Sequence, residues 1–359
     1  MKSRRYSDDP VVIDLQVALK SLDWNSKKKL DLFIRVVNDD REKLVYETFI
    51  SDVKDYLDKR KMPISKYLSI PTNFLIDKDK VVENVDSASI EMFMIENPTS
   101  LGYSCLSSSH DIDYELSVLA VSTLARFHAV SFCFRKERKI QLDLEYLDIA
   151  RECSAPEMSK QELVRLEIIL QTNKEFMKHA DMFLSSMKDK RKKFGLKIEQ
   201  FGVLCHGKVV KENIYVKKES DKNGKPFYSG LLFSDLSHCL FASCTLDLLQ
   251  FIFTVIDPTV RENFMADLVC SVYYDSFVRS VTEINEEICV FSKKEFIKEF
   301  DSNIMYGFLF ALKQCSNEHL DALDREKVTS GAFAKHKDQI LSVMRDVVQF
   351  RSSARLTMR

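Results

Sequence analysis

Glycine is the scarcest informative residue here: the chain has eight, and none precedes Gly102. Glycine is what lets backbone amides wrap closely around a phosphate, so the first 101 residues hold no Gly-rich phosphate loop. A surplus of positive charge is also missing. The 53 Lys and Arg against 54 Asp and Glu leave a net charge of −1, which gives no means of neutralising a nucleic-acid backbone. The basic runs Lys27-Lys28-Lys29 and Lys188 to Lys193 read as solvated faces or turns. No apolar run approaches the ~20 residues of a membrane span. Met1 to Pro10 is polar and does not read as a signal peptide. The nine cysteines are odd in number and follow no pairing pattern, as expected of reduced, mostly buried thiols in a cytoplasmic protein. Cys205-His206 and His238-Cys239 lack C-x2-C spacing, and neighbours on a strand face opposite ways, so no cysteine metal site is expected.

The 359 residues, 45% hydrophobic and 30% charged, are enough for a large core and suggest two lobes. Asp9-Pro10 ahead of Val11 to Leu19 reads as a capped helix start. Leu32 to Val37 reads as a buried strand, Arg41 to Leu57 as a helix, and Ile90 to Ile95 as a strand stopped by Pro98. Asn73 to Asp77 and Lys80 to Val85 suggest a hairpin. Long helices are expected over Asp113 to Phe134 and Lys160 to Met187. Short strands follow at Phe201 to Leu204, Ile214 to Val216 and Tyr228 to Phe233, with Asn223-Gly224 as a hairpin turn. Helices then recur at Leu246 to Ile256, Pro258 to Val281, Ser292 to Leu312 and Phe333 to Phe350. The expected division is 1–97, 98–350 and a frayed tail 351–359.

The stretch Leu204-Cys205-His206-Gly207-Lys208-Val209-Val210-Lys211-Glu212-Asn213 carries the chemistry. It resembles the catalytic loop H-G-D-x-x-x-x-N of choline kinase, aminoglycoside phosphotransferases and the ecdysteroid-kinase-like family of insects. Twenty-two residues beyond Asn213, Phe233-Ser234-Asp235-Leu236 is similar to that family's D-F-x segment. Leu246-Asp247-Leu248-Leu249 matches its L-D-L-L helix start, and Leu124-Ala125-Arg126-Phe127-His128-Ala129 its L-A-x-F-H-A helix. Leu32 to Arg35 stands where the family has a strand ending in a phosphate-binding lysine. Phe49 to Tyr56 stands where it has F-x-x-E-x-x-x-Y, and Met94-Ile95-Glu96-Asn97 resembles its inter-lobe E-D-L. The resemblance runs from about Leu32 to Phe350, and only the 204–249 cluster is specific by itself.

The resemblance implies an α+β, bilobal protein-kinase-like fold with a small, truncated N-terminal α/β lobe and a larger, mainly helical C-terminal lobe. It implies ATP and Mg2+ as cofactors and a small-molecule ligand, with neither nucleic acid nor membrane as partner. Asn213 and Asp235 would hold metal, Arg35 would touch phosphate, Asp52 would pair with it, and Glu96 would lie beside the nucleotide. His206 would brace the loop, and His128 reads as a satisfied core histidine. The position of the catalytic acid, however, is Lys208. An ammonium cannot take a proton from an attacking hydroxyl, and a general base contributes ~10²–10⁴ in rate. A misplaced charge ~4 Å from a metal adds roughly 4 kcal/mol of repulsion at an effective dielectric of ~20. Arg35 for lysine, Asp52 for glutamate and the missing glycine loop point the same way. Lys208 reads as a solvated lysine, a contact for an anionic ligand, or a partner of Asp235. The expectation is a kinase-like protein with impaired catalysis, the alternative an active phosphotransferase for hydroxyl groups of ecdysteroids or other lipophilic alcohols.

Overall fold

The computed structural model describes residues 3–4, 11–20, 27–37, 41–74, 91–106, 112–139, 146, 149, 156–189, 193–317 and 331–357, with backbone alone over 3–37. It opens on strands: β1 (Ser3–Arg4), β2 (Val11–Lys20) and β3 (Lys27–Val37). The expected helix at Val11 to Leu19 is therefore a strand. Val11, Ile13, Leu15, Val17 and Leu19 alternate with Asp14, Gln16, Ala18 and Lys20, a period of two that no helix face accommodates. β2 and β3 pair antiparallel without interruption from Val11↔Val36 to Lys20↔Lys27.

Residues 41–58 are helical as expected, as α1 (Arg41–Val45), a π turn (Tyr46–Ile50) and α2 (Ser51–Asp58), with Val45, Phe49, Val53, Tyr56 and Leu57 buried. A short α3 (Ile64–Tyr67) leads to β4 (Asn73–Phe74) and β5 (Glu91–Glu96). The rest of the hairpin expected over 73–85 lies outside the described residues. β5 pairs with β3 from Leu32↔Glu96 to Val37↔Glu91, completing a sheet of order β1-β2-β3-β5-β4.

β6 (Tyr103–Cys105) precedes α4 (Tyr114–Arg138), whose N-cap Asp113 accepts from the Leu116 amide at 2.8 Å. α4 is long and apolar enough to cross a membrane, but 78% of its most apolar window is buried within the fold, which makes it a core helix. The single helix expected over 160–187 is two. α5 (Lys160–Thr172) starts from a Ser159–Glu162 capping box and stops at Asn173, which turns extended and donates its side-chain amide to Ile169 O at 2.6 Å. α6 (Ala180–Lys188) resumes after a 3₁₀ turn.

α7 (Ile198–Phe201) then feeds β7 (Gly202–Cys205). β8 (Ile214–Ser220) and β9 (Pro226–Phe233) form the expected hairpin, with Gly224 at φ +77° and the Asp221 carboxylate accepting from the Asn223 and Lys225 amides. β10 (Leu240–Ser243) pairs antiparallel with β7. Five helical segments complete the chain: α8 (Thr245–Thr254), α9 (Pro258–Asp267), a π turn (Leu268–Tyr273) into α10 (Tyr274–Ile284), α11 (Lys293–Asn317) and α12 (Gly331–Thr357). The tail expected to fray from Arg351 is helix as far as Thr357, and the Arg351 guanidinium meets Asp301 at 3.2 Å.

The chain forms two compact units. One comprises Met1–His110 and Glu212–Cys239, the other Asp111–Lys211 and Leu240–Arg359. The expected boundary at residue 97 is thus corrected: the β8–β9 hairpin belongs to the first unit because β8 pairs with β6. The second unit is organised around closely packed aromatic rings. Tyr273 and Phe296 lie 5.4 Å apart, Phe277 and Phe291 5.4 Å, and Phe201 and Phe291 4.7 Å. Such pairs contribute ~0.5–1.5 kcal/mol each beyond the area they bury.

Candidate functional site

In the second unit, β7 delivers its C-terminal end to the loop His206-Gly207-Lys208, with Gly207 at φ +81°. What fixes this loop is the first turn of α8. Asp247 is fully buried and accepts from the amides of His206 at 2.5 Å and Gly207 at 2.9 Å. One turn along the same face, Gln250 accepts from the Val209 amide at 2.8 Å and donates to Gly207 O at 2.9 Å and to the Tyr306 hydroxyl. His206 Nδ1 accepts from the Lys208 amide at 3.3 Å.

Behind Asp247, His128 reaches its carboxylate through Nε2 at 3.1 Å and the Tyr273 hydroxyl through Nδ1 at 2.6 Å. Burial pushes the Asp247 carboxyl up, but the His128 hydrogen bond, the charges of His128 and His206 and the Gly207 amide outweigh it and hold it below the usual carboxylate value. With Asp247 ionised, Nε2 of His128 donates to it. Burial, followed by the neighbouring Cys244, pushes the Tyr273 phenol well above its ordinary value. Burial likewise pushes the Cys244 thiol up to about 12. The ligand atoms of His128, Cys205 and Asp247 cluster within 4.8 Å. Each already has hydrogen-bond partners, Cys205 with the carbonyls of Ala242 and Ser243, so the cluster is a braced core rather than an open metal site.

In the first unit the β8–β9 register explains a spacing that the sequence only displays. Ile214 faces Phe233, and the ladder runs one step further as the Ser234 amide donates to Asn213 O at 2.8 Å. The 21 residues between Asn213 and Asp235 fold back on themselves and set the two side by side, with Asn213 Nδ2 at 3.4 Å from Asp235 Oδ2. Asp235 lies at φ +66°, ψ 72°, a left-handed conformation that costs a non-glycine residue about 1–3 kcal/mol and that collects at functional sites. Two contacts hold it there. Ser237 donates its hydroxyl to Asp235 Oδ1 at 2.6 Å, and the Leu236 amide donates to Glu42 Oε1 at 3.1 Å.

Glu42, on α1, is completely buried. It was not among the candidate residues, whereas Asp52, which was, is exposed on α2. The signal lay in the sequence: Glu42-x-x-x-Tyr46 has the same spacing as Asp52-x-x-x-Tyr56 and a true glutamate. Glu96 ends β5 half-buried, its amide donating to Thr72 O at 2.8 Å. Arg35 pairs in β3 with Val12 and Phe93, and its side chain lies outside what is described. Lys208 is half-buried on its loop. Asp247 and Gln250, which hold that loop, carried no assigned role. Their signal was a polar i, i+3 pair in the apolar helix Leu246 to Phe253.

The amide of Asn213 and the carboxylate of Asp235 offer the hard oxygen donors that Mg2+ takes, through one or two protein groups and otherwise through phosphate and water. That donor set, on a backbone held in a costly conformation, fits the ion.

The sequence profile of the ecdysteroid kinase-like family matches residues 7–286. No curated protein matches the chain. Several solved structures resemble it at low identity. An aminoglycoside phosphotransferase from Alicyclobacillus acidocaldarius is 10% identical, with a TM-score of 0.46 over 100% of this chain and 92% of the other. A choline kinase from Cryptosporidium parvum is 8% identical, with a TM-score of 0.40 over 98% and 90%. An ethanolamine kinase from Plasmodium vivax is 11% identical, with a TM-score of 0.38 over 98% and 82%.

Proposed function

Since the chain belongs to the ecdysteroid kinase-like family, residues 7–286 matching its profile, we propose that it is a kinase-like small-molecule-binding protein with strongly reduced phosphoryl transfer. The observation that carries this reading is Lys208 on a loop that is otherwise fully built. His206, Gly207 and Val209 are clamped by Asp247 and Gln250, so the loop is not a ruin. It presents a cation at the position where the family pattern has an acid. An ammonium neither accepts the proton of an incoming hydroxyl nor orients it, and the loss of a general base costs ~10²–10⁴ in rate.

Asn213 and Asp235 would hold Mg2+, which when bound neutralises phosphate charge; Arg35 is proposed to meet the ATP phosphates and Glu96 to lie beside the nucleotide. Asp235 keeps the carboxylate, Asn213 the amide, and Glu42 fixes the turn that carries Asp235. This pair favours a second reading, in which the protein still transfers phosphate from ATP to hydroxyl groups of ecdysteroids or other lipophilic alcohols. Turnover of the purified protein with Mg-ATP against a panel of such alcohols separates the two. We expect no phosphorylated product above the ATP-only background. Product that forms at a steady rate and disappears in Asp235→Ala overturns the reduced-transfer reading in favour of the second.

A further inference from the structure

A cavity of about 230 Å³ opens in the second unit where α9 and the π turn after it meet α11 and α12. It shares no residue with the 206–209 loop or its clamp. Its walls are mainly apolar, from Met265, Ile297 and Phe350, and the π turn contributes Cys270. A π turn inside a helix frequently marks a functional position. The size suits a fragment-sized molecule, since sites for drug-sized ligands run to about 300–1,000 Å³.

The polar groups on the wall are unequal. Arg261 is spent within the fold: its Nε meets Asp346 Oδ2 at 2.6 Å, Nη1 meets Ile256 O at 2.6 Å, and Nη2 meets Ser342 Oγ at 2.9 Å. Each nitrogen is engaged, which ties the guanidinium to Asp346, Ile256 and Ser342. Asp346 is only 5% exposed, and its second oxygen, Oδ1, receives no hydrogen bond among the described residues. Asp346 lines the cavity, so this oxygen is an acceptor that a bound donor can reach. Glu262, exposed at the rim, adds a second carboxylate to the lining. Burial raises the Asp346 carboxyl against the pull of Arg261, the sense in which a further cation is welcome.

We propose that this cavity binds a small apolar cation, a primary amine on an aromatic or aliphatic body. The ammonium donates to Asp346 Oδ1, and the body packs against Met265, Ile297 and Phe350. The matched probes benzylamine, benzyl alcohol and benzoate test it on the full chain. The readout is the rate at which N-ethylmaleimide modifies Cys270, followed by peptide mass spectrometry, with the exposed Cys289 as internal control. Benzylamine is expected to slow Cys270 about fivefold or more at millimolar concentration and to leave Cys289 unchanged, in keeping with fragment affinities. Benzyl alcohol should need about tenfold more, lacking the charge-assisted bond, and benzoate should not protect. Ala266→Trp, at the exposed edge of the lining, fills the space without touching the Arg261–Asp346 pair and should abolish protection at an unchanged melting temperature. Asp346→Asn should bring amine and alcohol level; because it also strips Arg261 of its partner, Ala266→Trp carries the test if that variant fails to fold. Benzoate protecting as well as benzylamine, protection that survives Ala266→Trp, or none from the amine overturns the proposal.

Discussion

Asp247 is the residue on which the candidate loop depends. It is an ionised carboxylate with no exposure, stabilised by the His206 and Gly207 amides and by His128. Asp247→Asn keeps the volume but removes the charge those donors answer, so a loss of about 3 kcal/mol is expected from denaturant midpoints. The pH sign follows from the depressed carboxyl. Its contribution is complete above the ordinary aspartate pKa and is lost as pH falls through the lower folded value. Wild-type stability should therefore drop below about pH 4 more steeply than that of Asp247→Asn; parallel acid limbs would contradict the assignment. Type and spacing singled out His206, Asn213 and Asp235 as candidates in the sequence, and the fold sets the last two side by side. Glu42 and Gln250 were not legible, because their roles come from what the fold sets against them: a turn amide 194 residues away for one and a loop amide 41 away for the other.

Among the elements, strands and helices with one dominant signal could be read directly. α4 begins at its Asp113 cap and β9 ends at Phe233, both as expected. Failures occurred where two signals competed. At Val11 to Lys20 an apparent Asp-Pro cap outweighed a period-two pattern, and pairing with β3 decided for the strand. At 160–187 continuous helical periodicity concealed Asn173, whose side chain takes the Ile169 carbonyl and ends the helix. The β8–β9 hairpin sets Asn213 beside Asp235, and its turn depends on Gly224. A Cβ there meets nothing within 4 Å, so only the left-handed backbone opposes a side chain. Gly224→Ala should cost about 1 kcal/mol in a denaturant melt, with Gly224→Asn milder. A neutral alanine would mean that the turn does not hold this conformation in solution.

The whole molecule has the α+β class and the order of elements that the family resemblance implied, but the division was drawn in the wrong place. A boundary at residue 97 follows the chain, whereas the units follow pairing, and β6 draws the β8–β9 hairpin into the first unit. Non-local strand pairing is what a single sequence discloses least. A ligand that binds only the folded state raises its stability by RT ln(1 + [L]/Kd). Mg-ATP should therefore raise the melting temperature in a concentration-dependent way, and Asp235→Ala should remove the rise. A melt unmoved by Mg-ATP would place nucleotide outside this protein's chemistry.

The central claim is that the cation at position 208 silences transfer on a loop that is otherwise intact. Single-turnover phosphate transfer from Mg-ATP, measured for wild type beside Lys208→Asp, tests it most directly. The account predicts transfer, or hydrolysis to water, at least about tenfold faster in Lys208→Asp, toward the ~10²–10⁴ that a general base contributes. A wild-type rate equal to or above that of the variant would contradict it.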